Sequence, residues 1–239
     1  MMTSGRGGFD ELFPNDAPTD VGEVAYPDHC ELWSAPWQVD ASSPDSVTLS
    51  VTGGTTGVRV AKTFSVSGPD LKVRYELEHG GDSILRHLFK LHAAFAISEG
   101  CRIDLTGGRV EKVDREFGSL LRSNDRQLWP TSVELSRCRR LSSRTHEFFY
   151  VSDLPERWCG ITDIEARSWV RINYPKDVFP YCWIFMTYGG WRDHNVVVLG
   201  PSTNYPKDLR QAISRGTQAE LVPGSKAVFE VTVSVGQIL

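Results

Sequence analysis

Apolar and polar residues alternate along much of this chain, and the alternation has a period of two. Leu71 to Leu77 reads Leu-Lys-Val-Arg-Tyr-Glu-Leu, apolar at every second position. Val47 to Val51 alternates in the same way, and Val58 to Val66 does so less perfectly. Successive side chains of a strand point to opposite faces, so this period predicts half-buried antiparallel strands. Gly53-Gly54, Gly68-Pro69-Asp70, Gly80-Gly81-Asp82 and Gly107-Gly108 supply turn chemistry between strand-like segments. Cys101 to Leu105, the short Val110 to Val113 and the apolar run Phe148 to Val151 continue the series. Asp163 to Tyr174 carries Ile164, Ala166, Ser168, Val170 and Ile172 on one face and predicts one strand. Tyr181 to Tyr188 is apolar on both faces, hence central; Asn195 to Leu199 is a second buried strand, and Ala227 to Val235 a last alternating one. The helical signal is confined to Pro206 to Ile213, with Gly216 suited to cap its C-terminus. Residues 1 to 28 and 114 to 135 read as irregular. The pattern predicts one all-β domain over residues 1–239, with two large sheets face to face.

Composition adds exclusions. Of 239 residues, 40% are hydrophobic and 23% charged, an ordinary globular balance. The formal net charge is −4, so no positive field favours nucleic acid as a partner. The densest basic spot, Arg137, Arg139, Arg140 and Arg144, is short enough to be a solvated surface. The five cysteines are widely spaced with no C-x-x-C pair, which fits reduced, buried thiols in a cytoplasmic protein better than a zinc ribbon or redox motif. No run of 18 apolar residues suggests a membrane span.

The chemistry centres on Arg86 to Ile97, where His92 stands among apolar residues between two strand-like runs. A buried histidine is often a hydrogen-bonded core residue; it is also the side chain best suited to proton transfer near neutrality. Upstream, Pro27-Asp28-His29-Cys30-Glu31-Leu32-Trp33, followed by Trp37, places a histidine beside aromatic rings. His79 and His146 read as surface residues, and His194 as part of a polar turn. His87 and His92 are an odd number of residues apart and would point to opposite faces of one strand, so no metal site is expected.

Several of these segments, in order, resemble bacterial aldose 1-epimerase-like proteins. They are Gly7-Gly8-Phe9-Asp10-Glu11 with Phe13-Pro14; Pro27 to Trp33, with Cys30 where glycine is usual; Leu71 to His92; Tyr188-Gly189-Gly190; Val198-Leu199-Gly200-Pro201-Ser202-Thr203-Asn204-Tyr205-Pro206; and Leu221-Val222-Pro223-Gly224. The resemblance implies a galactose mutarotase-like β-supersandwich of two large antiparallel sheets, N-terminally shortened because that first motif begins at residue 7. A partner subunit would cover the sheet edges so exposed, making a homo-oligomer an expectation. It also implies a small-molecule sugar as ligand, an aldose or sugar phosphate, and acid–base ring opening that interconverts anomers with no cofactor. The proton donor falls on His92. His29, Trp33, Asp10 and Glu11 are substrate-binding candidates. The general base, a glutamate before a late proline, falls on Gly200, which has no side chain. Asp193, Asp208, Asp10, Glu11 and Glu165 are the carboxylates that folding could bring in its place. The missing base keeps two other readings open: a catalytically impaired carbohydrate-binding or regulatory module, and a lyase or epimerase of another sugar class that uses His92 with a different carboxylate.

Overall fold

The computed structural model describes residues 8–114, 116–118, 120–122, 126–131 and 134–238. Gly7 and parts of the 114–135 stretch lie outside them. Chain order begins with β1 (Gly8–Leu12), the hairpin β2 (Thr19–Val21) and β3 (Val24–Tyr26), and β4 (Gln38–Ser43). The alternating segments follow as β5 (Ser46–Thr52), β6 (Arg59–Ser67) and β7 (Asp70–Glu78), a meander of antiparallel strands. Next come β8 (Leu85–His87), β9 (Lys90–Ala96), β10 (Cys101–Leu105), β11 (Arg109–Glu111) and β12 (Arg126–Leu128). The second half holds β13 (Thr145–Ser152), β14 (Trp158–Asp163), β15 (Ser168–Asn173), β16 (Tyr181–Tyr188) and β17 (Asn195–Ser202). Helix α1 (Leu209–Arg215), β18 (Ala219–Leu221) and β19 (Lys226–Gln237) complete it.

Two antiparallel sheets dominate. One has seven strands in the order β1-β9-β17-β16-β13-β11-β12; the other has eight, in the order β10-β14-β15-β19-β7-β6-β5-β4. Between them lies one core, to which the seven-stranded sheet contributes Leu91, Ala93, Leu199, Ile184 and Phe149, and the eight-stranded sheet Val73, Tyr75, Ile161, Ile172 and Val231. A second apolar cluster covers the opposite face of the seven-stranded sheet, built on Leu12, Leu88, Phe148, Tyr150 and Trp183. That face carries the chemistry.

The structure departs from the sequence reading at named places. Asp163 to Tyr174 is not one strand: β14 ends at Asp163, Ile164 to Arg167 turn with Arg167 at φ 51°, and β15 returns antiparallel. The alternation of Ile164, Ala166 and Ser168 runs through the turn into β15 unbroken. Residues 1 to 28 hold β1 and the β2–β3 hairpin rather than coil alone. His79 is buried, with Nε2 2.8 Å from the Ser83 carbonyl oxygen. Helix α1 starts three residues late because the Asp208 carboxylate caps it, accepting from Gln211 N at 3.1 Å; Gly216 closes it with φ 70°. Among the described residues all five cysteines are free, and no helix is long and apolar enough to cross a membrane.

Candidate functional site

Antiparallel register sets one row of side chains across the outer face of the seven-stranded sheet. Asp10 on β1 pairs with His92 on β9. Between the pairs Leu199–Ala93 and Ser202–Lys90, the register of β17 puts Gly200 level with His92 on its other side. Gly200 pairs with Trp183, Trp183 with Tyr150, and Tyr150 with Glu111. Lys90, two residues before His92, points to the same face.

The loops after β1 and β3 close over one end of this row. His29 N donates to the Asp16 carbonyl at 2.8 Å, and Glu31 N to the Phe13 carbonyl at 3.0 Å. Asn15 Nδ2 donates to the carbonyls of Ala17 (2.7 Å) and Pro27 (2.9 Å). Glu31 fixes the loop from the other side, accepting from Thr56 N at 2.9 Å and from Thr56 Oγ1 at 2.7 Å. His29 and Cys30 both adopt positive φ, 59° and 32°, which turns the His29 ring back over the sheet. The result is an aromatic corner. His29 and Trp33 lie 4.8 Å apart, Trp33 and His92 5.5 Å, and His29 and His92 6.2 Å, each pair edge to face. Trp33 is 37% exposed and forms the open wall.

Beside this corner sits a buried ion pair, Lys90 with Asp16. Lys90 Nζ also lies 4.3 Å above the Trp183 ring. Burial alone would raise the Asp16 carboxyl, but Lys90, His29 and His92 outweigh it and hold it below the usual carboxylate range. Burial, and then the Lys90 charge, push His92 down to about 3. His92 is therefore a neutral imidazole near pH 7, able to donate from one nitrogen and accept at the other. Nδ1 of His29 and Nδ1 of His92 are both shut off from solvent without a hydrogen-bond partner, although Asp28 Oδ1 lies 3.0 Å from the former. An unpaired buried nitrogen costs free energy in the fold, and the two rings that form this corner each carry one.

Farther along the row a second polar group forms. The Tyr150 hydroxyl donates to Asp114 and accepts from Lys207 N at 3.0 Å; Lys207 Nζ lies 3.1 Å from Glu116 and 3.7 Å from Asp114. Burial raises the Asp114 carboxyl above its ordinary value. Trp183 and Tyr150 are each 1% exposed, so the middle of the row is sealed and the His29–Trp33–His92 end is open. Two wide concavities lie elsewhere, one of about 570 Å³ beside Trp158 and Tyr174 and one of about 690 Å³ beside Arg144 and Asp193; neither is lined by a histidine.

The structure thus brings His29, Trp33, His92 and Asp10 to one region. Asp10 is exposed, and its carboxylate turns toward Gly8. Glu11 is corrected: it points the other way, into the core, bonded at 2.7 Å to both Lys62 Nζ and the Tyr75 hydroxyl. Adjacent residues of a strand face opposite sides, so Asp10 and Glu11 cannot share the site. Trp37 lies under Lys62, 4.1 Å from its Nζ, away from the corner. Asp193 pairs with Arg144 at the surface, Asp208 caps α1, and Glu165 stands against Gly100 in the turn after β14. Asp16, Lys90 and Trp183 are the residues sequence reasoning missed. The one available signal was period two from His92 back to Lys90.

Gly200 shows why no side chain stands there. A Cβ would lie 3.2 Å from the Leu91 carbonyl oxygen and 3.3 Å from both Lys90 Cδ and the Trp183 carbonyl oxygen. The Lys90 stem occupies the space a longer residue would need. Among the described residues no cluster of three or more metal-ligating side chains occurs.

No protein-family model and no curated protein matches the sequence. Solved structures do match in fold. Slr1438 from Synechocystis sp. PCC 6803 superposes with a TM-score of 0.77 at 13% identity, over 98% of this chain and 80% of that one. A proposed aldose 1-epimerase from Escherichia coli K12 gives 0.75 at 16% identity, over 96% and 84%. A galactose mutarotase related enzyme from Lactobacillus acidophilus gives 0.72 at 13% identity, over 96% and 83%. With two large antiparallel sheets enclosing one core, this chain has the galactose mutarotase-like fold.

Proposed function

We propose that the protein binds an aldose, free or phosphorylated, at the corner made by His29, Trp33 and His92, and interconverts its anomers. The observation that carries this reading is the pair of histidines meeting around Trp33 on the outer sheet face beside a buried carboxylate. An indole face suits the apolar side of a pyranose, and two imidazoles suit its hydroxyls. His92 hydrogen-bonds the ring oxygen and, on taking up a proton as imidazolium, gives it to that oxygen as the C1–O5 bond opens; it recovers the proton when the ring closes on either face of C1. His29 orients the sugar. Proton exchange of this kind needs no metal or organic cofactor.

A second reading, a sugar-binding module without turnover, is favoured by one feature: Gly200, closed over by Lys90, contributes no base. Anomer exchange followed by NMR on glucose, galactose and glucose 6-phosphate separates the two. Faster exchange with wild type, lost in His92→Ala, supports the isomerase. Quenching of tryptophan fluorescence by sugar without faster exchange supports the binding module. A wild type that neither binds nor turns over any of these sugars counts against both.

A further inference from the structure

We infer that Asp16 takes the proton of the anomeric hydroxyl in this chain, delivered from a loop instead of from β17. The inference rests on the isomerase reading above and assigns its missing partner. Three observations place the carboxylate. The strand position level with His92 is Gly200, where even a Cβ would be crowded by two backbone oxygens and by Lys90. Lys90 lies over that same position, and its ammonium binds Asp16. Asp16 is fixed from behind, since its carbonyl accepts from His29 N at 2.8 Å and its neighbour Asn15 is bonded to Ala17 and Pro27. One loop thus positions the carboxylate and the sugar-orienting histidine together.

The other carboxylates are less suited. Glu11 faces the core, Asp208 caps a helix and Asp193 lies exposed with Arg144 in the turn after β16. Asp10 flanks His92 on the far side, and its carboxylate turns back toward Gly8. Asp114 is engaged by Tyr150 beyond the sealed middle of the row. Asp16 meets Lys90, two residues from His92 on the same face of β9, and its carbonyl holds His29 N.

The step balances. The Asp16 carboxylate accepts the proton of the O1 hydroxyl. The electron pair left on O1 forms the C1 carbonyl as the C1–O5 bond breaks, and O5 takes a proton from the imidazolium form of His92, which is left as neutral imidazole. Rotation about C1–C2 exposes either carbonyl face. On closure O5 returns its proton to His92, and Asp16 returns its proton to O1, so no oxidant, reductant or second substrate is consumed. Lys90 keeps Asp16 ionised and oriented; it is a positioning residue.

The test compares wild type, Asp16→Ala and His92→Ala in the NMR exchange assay, each with and without added formate. Loss of a base costs about 10²- to 10⁴-fold in rate. Asp16→Ala is expected to lose at least about 100-fold, to retain sugar-induced fluorescence quenching, and to regain exchange when formate supplies a carboxylate. His92→Ala is expected to gain nothing from formate. Because Asp16→Ala strands Lys90, the pair Asp16→Ala with Lys90→Met is measured alongside; formate rescue in either background supports the assignment. An active wild type whose Asp16→Ala keeps more than about a tenth of its rate, against the cost of losing a base, overturns Asp16 alone. So do folded variants of both kinds that are inactive and not rescued. An inert wild type overturns the isomerase reading itself.

Discussion

Glu11 offers the sharpest test of how the two faces of β1 divide their work. Its carboxylate is 3% exposed, bonded at 2.7 Å to Lys62 Nζ on β6 and at 2.7 Å to the Tyr75 hydroxyl on β7, and so bridges the two sheets. Glu11→Ala leaves the Lys62 ammonium buried without its counter-ion and the Tyr75 hydroxyl without its acceptor. Breaking a buried pair by removing one partner costs about 3–5 kcal/mol. A loss of about 3 kcal/mol is a large share of the roughly 5–15 kcal/mol that holds a domain folded. For a chain of this length it lowers Tm by roughly 6–12 °C. Urea unfolding followed by circular dichroism measures the loss as a shift in midpoint. The double change Glu11→Leu with Lys62→Met is expected to recover most of it, because an apolar pair leaves no buried charge unpaired. Sugar-induced quenching stays unchanged in any folded Glu11 variant, since Glu11 is on the side away from His92. A single variant that loses less than about 1 kcal/mol, well short of the cost of a broken buried pair, would refute the reasoning by showing that water reaches the pair. A folded variant that loses sugar binding would refute the division of faces.

Two other outcomes follow from buried groups. Glu147 is fully buried, pairs with Lys112 and accepts from the backbone nitrogens of Leu120 and Leu121 at 2.7 and 2.8 Å, so Glu147→Ala is expected to cost about 3 kcal/mol; limited proteolysis should then cut near residues 117–121 faster than in wild type. Burial pushes His87 down to about 4 from the ordinary histidine value, so the unfolded chain binds a proton that the folded one refuses. Stability from this group is complete above about pH 6.5 and is lost as pH falls toward 4, by about 3 kcal/mol in all. In His87→Leu the fall in Tm between pH 6.5 and 4.5 should be shallower than in wild type; equal slopes would show that His87 is not neutral in the fold.

The strands were legible where one face is buried and the other wet. β5, β6, β7 and β19 all carry the period of two that the pleat imposes, and β16 announces its central place by being apolar on both faces. β4 left no such trace because all six of its residues are exposed and nothing in the core selects them. The turn at Ile164–Arg167 was invisible because alternation does not stop there and no glycine or proline marks it. His29 and His92 stood out by residue type. Asp16 did not, because its meeting with Lys90 depends on a loop folding back over a strand 74 residues later. No local pattern encodes that meeting, and likewise none tells which of Asp10 and Glu11 faces the sheet's outer side until the register with β9 is known.

The position of β19 has a consequence for how the chain is made. β19 lies between β15 and β7 and, among the described residues, is the only strand that joins the β4–β7 meander to the β10, β14 and β15 group. It is also the last of these strands to leave the ribosome. Until it does, a nascent chain holds two half-sheets, each with an open edge at β7 or β15 and with apolar faces that have no lasting cover. Such edges are templates for intermolecular pairing. Synthesis that stalls before Lys226 would therefore yield a sticky species instead of a slightly shorter protein, and a chaperone that shields strand edges would act during translation, ahead of the one step that closes both halves.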